Sequence, residues 1–206
     1  THGGAVSIDG PRTDRGLDVR LRMQIAEKES IAKLAAGLVA DGTVVMLNAG
    51  TTTLAVARAL RDHRELTIAT NNLRIPAEIS PKAIRDLYVF GGAVRTITQA
   101  TTGPVAFTMN AGGPEVDIQC DLALIAVGAV ATTGYSTSNL GDAAMMADMM
   151  QRAQHTAILA DSSKMGRRLF AQVASLDRAD YLVTDTAPEP ELADALAQAG
   201  VQVLTP

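Results

Sequence analysis

Several apolar runs in this 206-residue chain are each followed by a short cluster of the residue types that hold anions and hydroxyl groups. After residues 43–47 come Asn48, Ala49, Gly50, Thr51, Thr52 and Thr53, and a helical pattern starts at once. Gly50 permits a tight turn, the threonines bring hydroxyls, and the first amides of a helix lack intrahelical partners. Such a loop suits a phosphate or a carboxylate. The same residues also make an ordinary threonine N-cap after a turn. Asn71 and Asn72 follow the run 66–70, where their amides can meet sugar hydroxyls or close an Asx turn. Gly91, Gly92 and then Arg95 follow the run 86–90, a backbone open to close approach beside a guanidinium able to grip phosphate, or a plain structural turn.

Two further clusters complete the set. Asp161, Ser162, Ser163 and Lys164 follow the run 156–160 and lead to Arg167 and Arg168, which reads as a polar binding wall. Lys164 has a phosphate, a carboxylate or Asp161 as its candidate partner. Tyr135, Ser136, Thr137, Ser138 and Asn139 add hydroxyls and an amide. Taken together, these clusters point to an anionic, polyhydroxylated small ligand.

The elements that must position these residues alternate along the chain. Helical spacing runs from about residue 19 to 41, then over 51–62, 73–80, 140–154 and 189–199. Strand-like apolar runs occupy 43–47, 66–70, 86–90, 122–127, 156–160, 181–184 and 201–204. Continuous apolar strands separated by amphipathic helices indicate an α/β domain, a mostly parallel, doubly wound sheet with helices on both faces. Ligands of such sheets bind beyond the carboxyl ends of the strands, where the polar clusters fall. Residues 93–120, rich in Thr and Gly, break the rhythm and read as an irregular insertion near the site, with room for a short helix. Residues 1–18 read as a linker or arm, and 19–206 as the ligand-binding domain. The methionines at 145, 146, 149 and 150 have the spacing of a core face or a subunit contact.

Composition narrows the function. A chain of this length buries roughly 70% of its unfolded surface and needs no staples. The single Cys120 excludes an internal disulfide and a multi-cysteine zinc site, and His2, His63 and His155 have no metal-ligand spacing. No cofactor is expected. Eighteen Lys and Arg against 22 Asp and Glu, a net charge of −4, lack the footprint of a nucleic-acid binder. No apolar run reaches 18 residues and the start is polar, so neither a membrane span nor a signal peptide is expected and the protein reads as cytoplasmic. Dinucleotide, P-loop and nucleophile-elbow motifs are absent.

In order along the chain, THGGAV, IAKLAAGLVADGTVVMLNAGTTT, TNN, FGGAVR, TGP, GYSTSNLGDA and ADSSKMG resemble the ligand-sensing C-terminal domain of DeoR-family transcriptional regulators. The resemblance spans 27–204. It implies a fold similar to ribose-5-phosphate isomerase and a repressor of sugar-metabolism genes, usually a homo-oligomer, whose DNA affinity changes when a phosphorylated sugar or related metabolite binds. In the family a winged helix-turn-helix precedes this domain, and THGGAV resembles the tail of its wing, so DNA is expected to be bound only through that N-terminal part. By position, the family's phosphate loop falls on Asn48 to Thr53, its diglycine-arginine on Gly91, Gly92 and Arg95, and its Asp-x-Ser-Lys on Asp161, Ser163 and Lys164. The family commonly has Asp where Asn48 stands, and acidic residues where Val127 and Val130 stand. Their absence removes acceptors for sugar hydroxyls.

A phosphosugar isomerase on the same fold is the alternative. Its enediol chemistry needs a carboxylate base beside the substrate carbon. Residues 126–134 carry none, which leaves Asp161 as the one evident candidate at a strand end and argues against an enzyme.

Overall fold

The computed structural model describes residues 16–108, 115–116 and 118–206. The chain begins with α1 (Leu17–Leu21) and α2 (Ile25–Ala36), then β1 (Val44–Leu47), α3 (Thr51–Ala59), β2 (Leu66–Thr70), α4 (Ile75–Glu78) and β3 (Ile84–Val89). Two short strand pairs follow, β4 (Ala93–Arg95) with β5 (Ala100–Thr102), and β6 (Phe107–Thr108) with β7 (Glu115–Val116). Next come β8 (Cys120–Ala126), β9 (Ala129–Ala131), β10 (Gly134–Thr137), α5 (Leu140–Gln151) and β11 (Ala153–Leu159). The chain closes with β12 (Ala171–Ala174), β13 (Tyr181–Val183), α6 (Pro190–Gln198) and β14 (Gln202–Leu204).

Seven strands form one sheet in the order β14-β13-β11-β8-β1-β2-β3, and every neighbouring pair is parallel. The strands run continuously apolar because both faces are covered. All five residues of β2 are buried, for example. Alternate side chains serve opposite layers. Val45, Leu47, Ile68, Leu122, Leu124 and Leu159 pack with Ile31 and Ala35 of α2 and Leu54 and Ala57 of α3. Met46, Ala69, Ala123, Ile125 and Ile158 pack with Met145 and Met149 of α5 and Leu192 and Leu196 of α6. The four methionines of α5 are therefore core residues. Strand order reverses between β1 and β8: the chain winds outward through β2 and β3, then returns to β8 and winds the other way. A crevice forms at the carboxyl end of such a reversal.

Three local features depart from the reading of the sequence. The single helix over 19–41 is two, because Gln24 turns the chain through a left-handed conformation at φ 50°. α1 starts at Leu17, which is buried, two residues before the helical spacing in the sequence begins. Residues 93–120 carry two strand pairs and, among the described residues, no helix. The stretch after β8 is also more ordered than loops would be: β9, β10 and β12 make a separate antiparallel sheet over α5. Its hairpin depends on Gly134 at φ 120°, where an added Cβ would lie 2.2 Å from the Ala174 carbonyl oxygen. The THGGAV segment and the rest of 1–15 lie outside the described residues. Among the described residues no helix is long and apolar enough to cross a membrane.

Candidate functional site

A cavity of about 960 Å³ opens at the strand-order reversal. Its floor comes from the two strands that flank the switch: Gly50, Thr51 and Thr52 after β1, and Ala126 at the end of β8 with Val127 and Gly128 after it. The elbow between α1 and α2 forms one wall, the 161–169 loop another, and Thr98 and Thr137 close the sides.

The start of α3 is set for an anion. Gly50 is its N-cap, and no side chain caps the helix. Thr53 turns inward, its hydroxyl donating to the carbonyls of Asn48 at 2.7 Å and Gly50 at 3.0 Å. The first-turn amides of α3 are left to whatever occupies the cavity. Asn72 holds the loop from behind, with Nδ2 donating to the Gly50 carbonyl at 3.2 Å. Asn48 pins it to β8, with Nδ2 donating to Ala126 O and Oδ1 accepting from Ala126 N.

Charge in the cavity runs opposite to charge in the chain. Among the described residues that line it are five cations, Arg20, Lys28, Lys164, Arg167 and Arg168, and two carboxylates, Asp142 and Asp161. Both carboxylates are engaged. Asp142 is ion-paired with Arg95, and Asp161 accepts from the Ser163 amide at 3.2 Å and from the Ser163 hydroxyl. Lys28 is 8% exposed, and its ammonium donates to the carbonyls of Arg20 and Met23. Burial pushes its pKa below the usual lysine value; Asp161 opposes that shift, while Lys164 and Arg20 add to it.

Of the candidate ligand contacts read from the sequence, Gly50, Thr51, Thr52, Thr137, Asp161, Ser163 and Lys164 line the cavity, as do Ala49, Ser138, Arg167 and Arg168 of the same clusters. The others lie behind it or away from it. Asn48, Thr53 and Asn72 shape the α3 loop. Asn72 also closes an Asx turn, Oδ1 accepting from Arg74 N at 3.0 Å, while Asn71 donates to Thr101 O at 2.8 Å. Gly91 and Gly92 lead into β4, and the close approach at Gly92 is to the Thr102 backbone and not to the cavity. Arg95 reaches Asp142 in place of a phosphate. Tyr135 is fully buried, with its hydroxyl donating to Leu176 O at 3.2 Å, and burial pushes its phenol well above the usual range. Asn139 caps α5 by accepting from Asp142 N at 3.0 Å.

A sequence model of the DeoR C terminal sensor domain matches residues 23–186. The chain belongs to that family. It is 30% identical over 205 residues to the HTH-type transcriptional regulator GlpR of Haloferax volcanii, covering 99% of this chain and 78% of that one. It is also 30% identical over 204 residues to the HTH-type transcriptional repressor GlcR of Bacillus subtilis, covering 99% and 77%. The DeoR sensor domain is thus part of a regulator and not an enzyme. The fold is shared with a subunit of the tetrameric eIF2B-beta2-delta2 complex from C. thermophilum, at a TM-score of 0.55, 12% identity and coverage of 85% and 61%. Ribose 5-phosphate isomerase from Plasmodium falciparum aligns at a TM-score of 0.46, 11% identity, over 67% and 52%.

Within this DeoR sensor domain, Val127 and Val130, where the resemblance leads one to expect acidic residues, are both buried in the same apolar cluster. Val127 also lines the cavity. Val130 is fully buried in the apolar core. Reading strand ends alone missed Arg20, Met23, Gln24 and Lys28, because they precede the first strand and reach the cavity from a helix pair. It also missed Asp142, which sits in the first turn of α5. The one sequence signal for Lys28 is a lysine falling among the buried positions of the α2 pattern, beside Ile31, Ala32 and Ala35.

Proposed function

We propose that this domain is the effector sensor of a DeoR-family repressor of sugar-metabolism genes and that its cavity takes a phosphorylated sugar or a related anionic metabolite. The observation that carries this reading is the charge inversion: five cations and two engaged carboxylates around a cavity, in a chain of net charge −4. The uncapped start of α3 adds aligned amide donors, which favour a phosphate group. In this reading the amides of Thr51 and Thr52, with Lys164, hold the phosphate. Thr137, Asp161 and Ser163 face the remainder of the ligand, while Asn48, Asn71 and Asn72 keep the loops in place. Occupancy then biases DNA binding by a domain outside this chain, by no more than the ligand's difference in affinity for the two states. A repressor works where its operator is, in the cytoplasm. Self-association belongs to the same proposal, with the exposed apolar side chains of Phe170 and Leu140 as contact candidates and light scattering as its measurement.

Titration with a panel of sugar phosphates, followed by thermal melting, tests the reading. A ligand at about a hundred times its Kd adds about 2.7 kcal/mol, which is roughly 5–10 °C for a domain of this size. Thr52→Ala and Lys164→Ala should each reduce that shift. No shift for any phosphate, or no loss in either variant, would sink it.

A further inference from the structure

The elbow between α1 and α2 is both a wall of the cavity and a separately fastened piece of chain. Arg20, Met23 and Gln24 line the cavity, and Gln24 makes the bend with a left-handed backbone that residues other than glycine seldom adopt. Two fastenings are visible. At its start, the Leu17 amide donates to Ile97 O at 3.0 Å, on the connection between β4 and β5. At the bend, Lys28 reaches back from α2 and donates to the carbonyls of Arg20 and Met23 just past the end of α1, where the Arg20 carbonyl also accepts from the Met23 amide at 3.3 Å.

Lys28 has capacity to spare. A lysine ammonium carries three donors, and two are used on the elbow. The side chain lines the cavity, is 8% exposed, and makes no ion pair among the described residues. A buried cation without a direct ion pair is costly; the nearby carboxylate of Asp161 offsets part of that cost, and the neighbouring cations Lys164 and Arg20 add to it. An anion in the cavity supplies the missing charge and the third acceptor.

We propose that Lys28 is at once an anchor for the anionic ligand and the pin of the α1–α2 elbow, so that a filled cavity tightens residues 17–24. This rests on the reading that the cavity takes an anion. The ligand's charge lowers the cost of keeping the ammonium buried at the pin. Occupancy is thereby recorded in the first described element of the domain.

Hydrogen exchange on the unaltered chain, with and without the sugar phosphate that gives the largest melting shift, tests the pin. Calorimetric titration of Lys28→Met and Lys28→Arg tests the anchor. Expected are slower exchange of the 17–24 amides on binding and a loss of affinity of tenfold or more in Lys28→Met. Lys28→Arg, which keeps the charge, should retain more affinity than Lys28→Met. Binding to the unaltered chain with unchanged exchange over 17–24 overturns the proposal, and so does a folded Lys28→Met that binds as tightly. If Lys28→Met does not fold, the exchange measurement and Lys28→Arg decide it. If no phosphate shifts the melting of the unaltered chain, the anion reading falls and this proposal falls with it.

Discussion

Asn48 and Ala126 join the ends of β1 and β8 through both halves of one amide: Nδ2 donates to the Ala126 carbonyl at 2.8 Å and Oδ1 accepts from the Ala126 amide at 2.8 Å. The pair continues the ladder one step past the point where the two strands stop pairing. It holds the crevice at the strand-order reversal to a fixed width. A carboxylate at position 48 accepts from the Ala126 amide but cannot donate to its carbonyl. In this chain, then, Asn is matched to its site by hydrogen-bond polarity. Asn48→Asp should cost about 1–3 kcal/mol, the usual penalty for a buried unsatisfied group. Urea denaturation measures it, and an unchanged midpoint would show that the pin is dispensable.

Arg95 and Asp142 give a test that separates two roles for the guanidinium. The ion pair neutralises a carboxylate that lines the cavity. Arg95→Met should expose that charge and weaken anion binding by about three- to tenfold, the scale of one partly screened charge. Arg95→Met combined with Asp142→Asn should restore affinity. If the double variant binds as weakly as Arg95→Met, the arginine meets the ligand directly.

Gly92 is constrained by the chain itself. At φ 123° an added Cβ would lie 2.3 Å from Thr102 O and 2.9 Å from Gly103 Cα, all backbone that cannot turn aside. Gly92→Ala should therefore destabilise the domain by about 2 kcal/mol or more. A urea midpoint within error of the unaltered chain would contradict this.

Cys120 should be silent in the folded protein. Burial pushes its thiol up from 9.0 to about 12, so almost no thiolate exists at neutral pH. A thiol reagent at pH 8 should modify it only after denaturation. The linkage follows in sign: the folded state keeps its proton where the unfolded state loses it. Stability from this group is fully present below pH 9.0 and is lost as pH rises from there towards 12. Cys120→Ser or Cys120→Ala should flatten that alkaline decline in a pH series of urea midpoints.

Local pattern was enough to locate all seven sheet strands within three residues and to place polar clusters at their carboxyl ends. The runs TVVML and LTIAT lack polar alternation and lie between turn signals, which suits strands covered on both faces, and β1 and β2 are buried on both faces. β11 was the least well placed, since it starts at Ala153 where helical spacing had been read to 154. The β9–β10 hairpin escaped because its strands are three and four residues long, too short for a period to show.

What the sequence by itself determined is the alternation of strands and helices, and hence the end of the sheet at which ligand chemistry gathers; both follow from side-chain spacing within a few residues. Which of those polar side chains face the cavity was decided only by the tertiary structure. Asn48, Asn71, Asn72 and Asn139 find backbone partners nearby, and a buried backbone group takes the side chain that reaches it first. Lys28 and Asp161 stand 133 positions apart in the sequence and share one electrostatic neighbourhood. No local pattern carries that proximity, because it is created when α2 packs across the sheet and brings its buried lysine to the open end of the crevice.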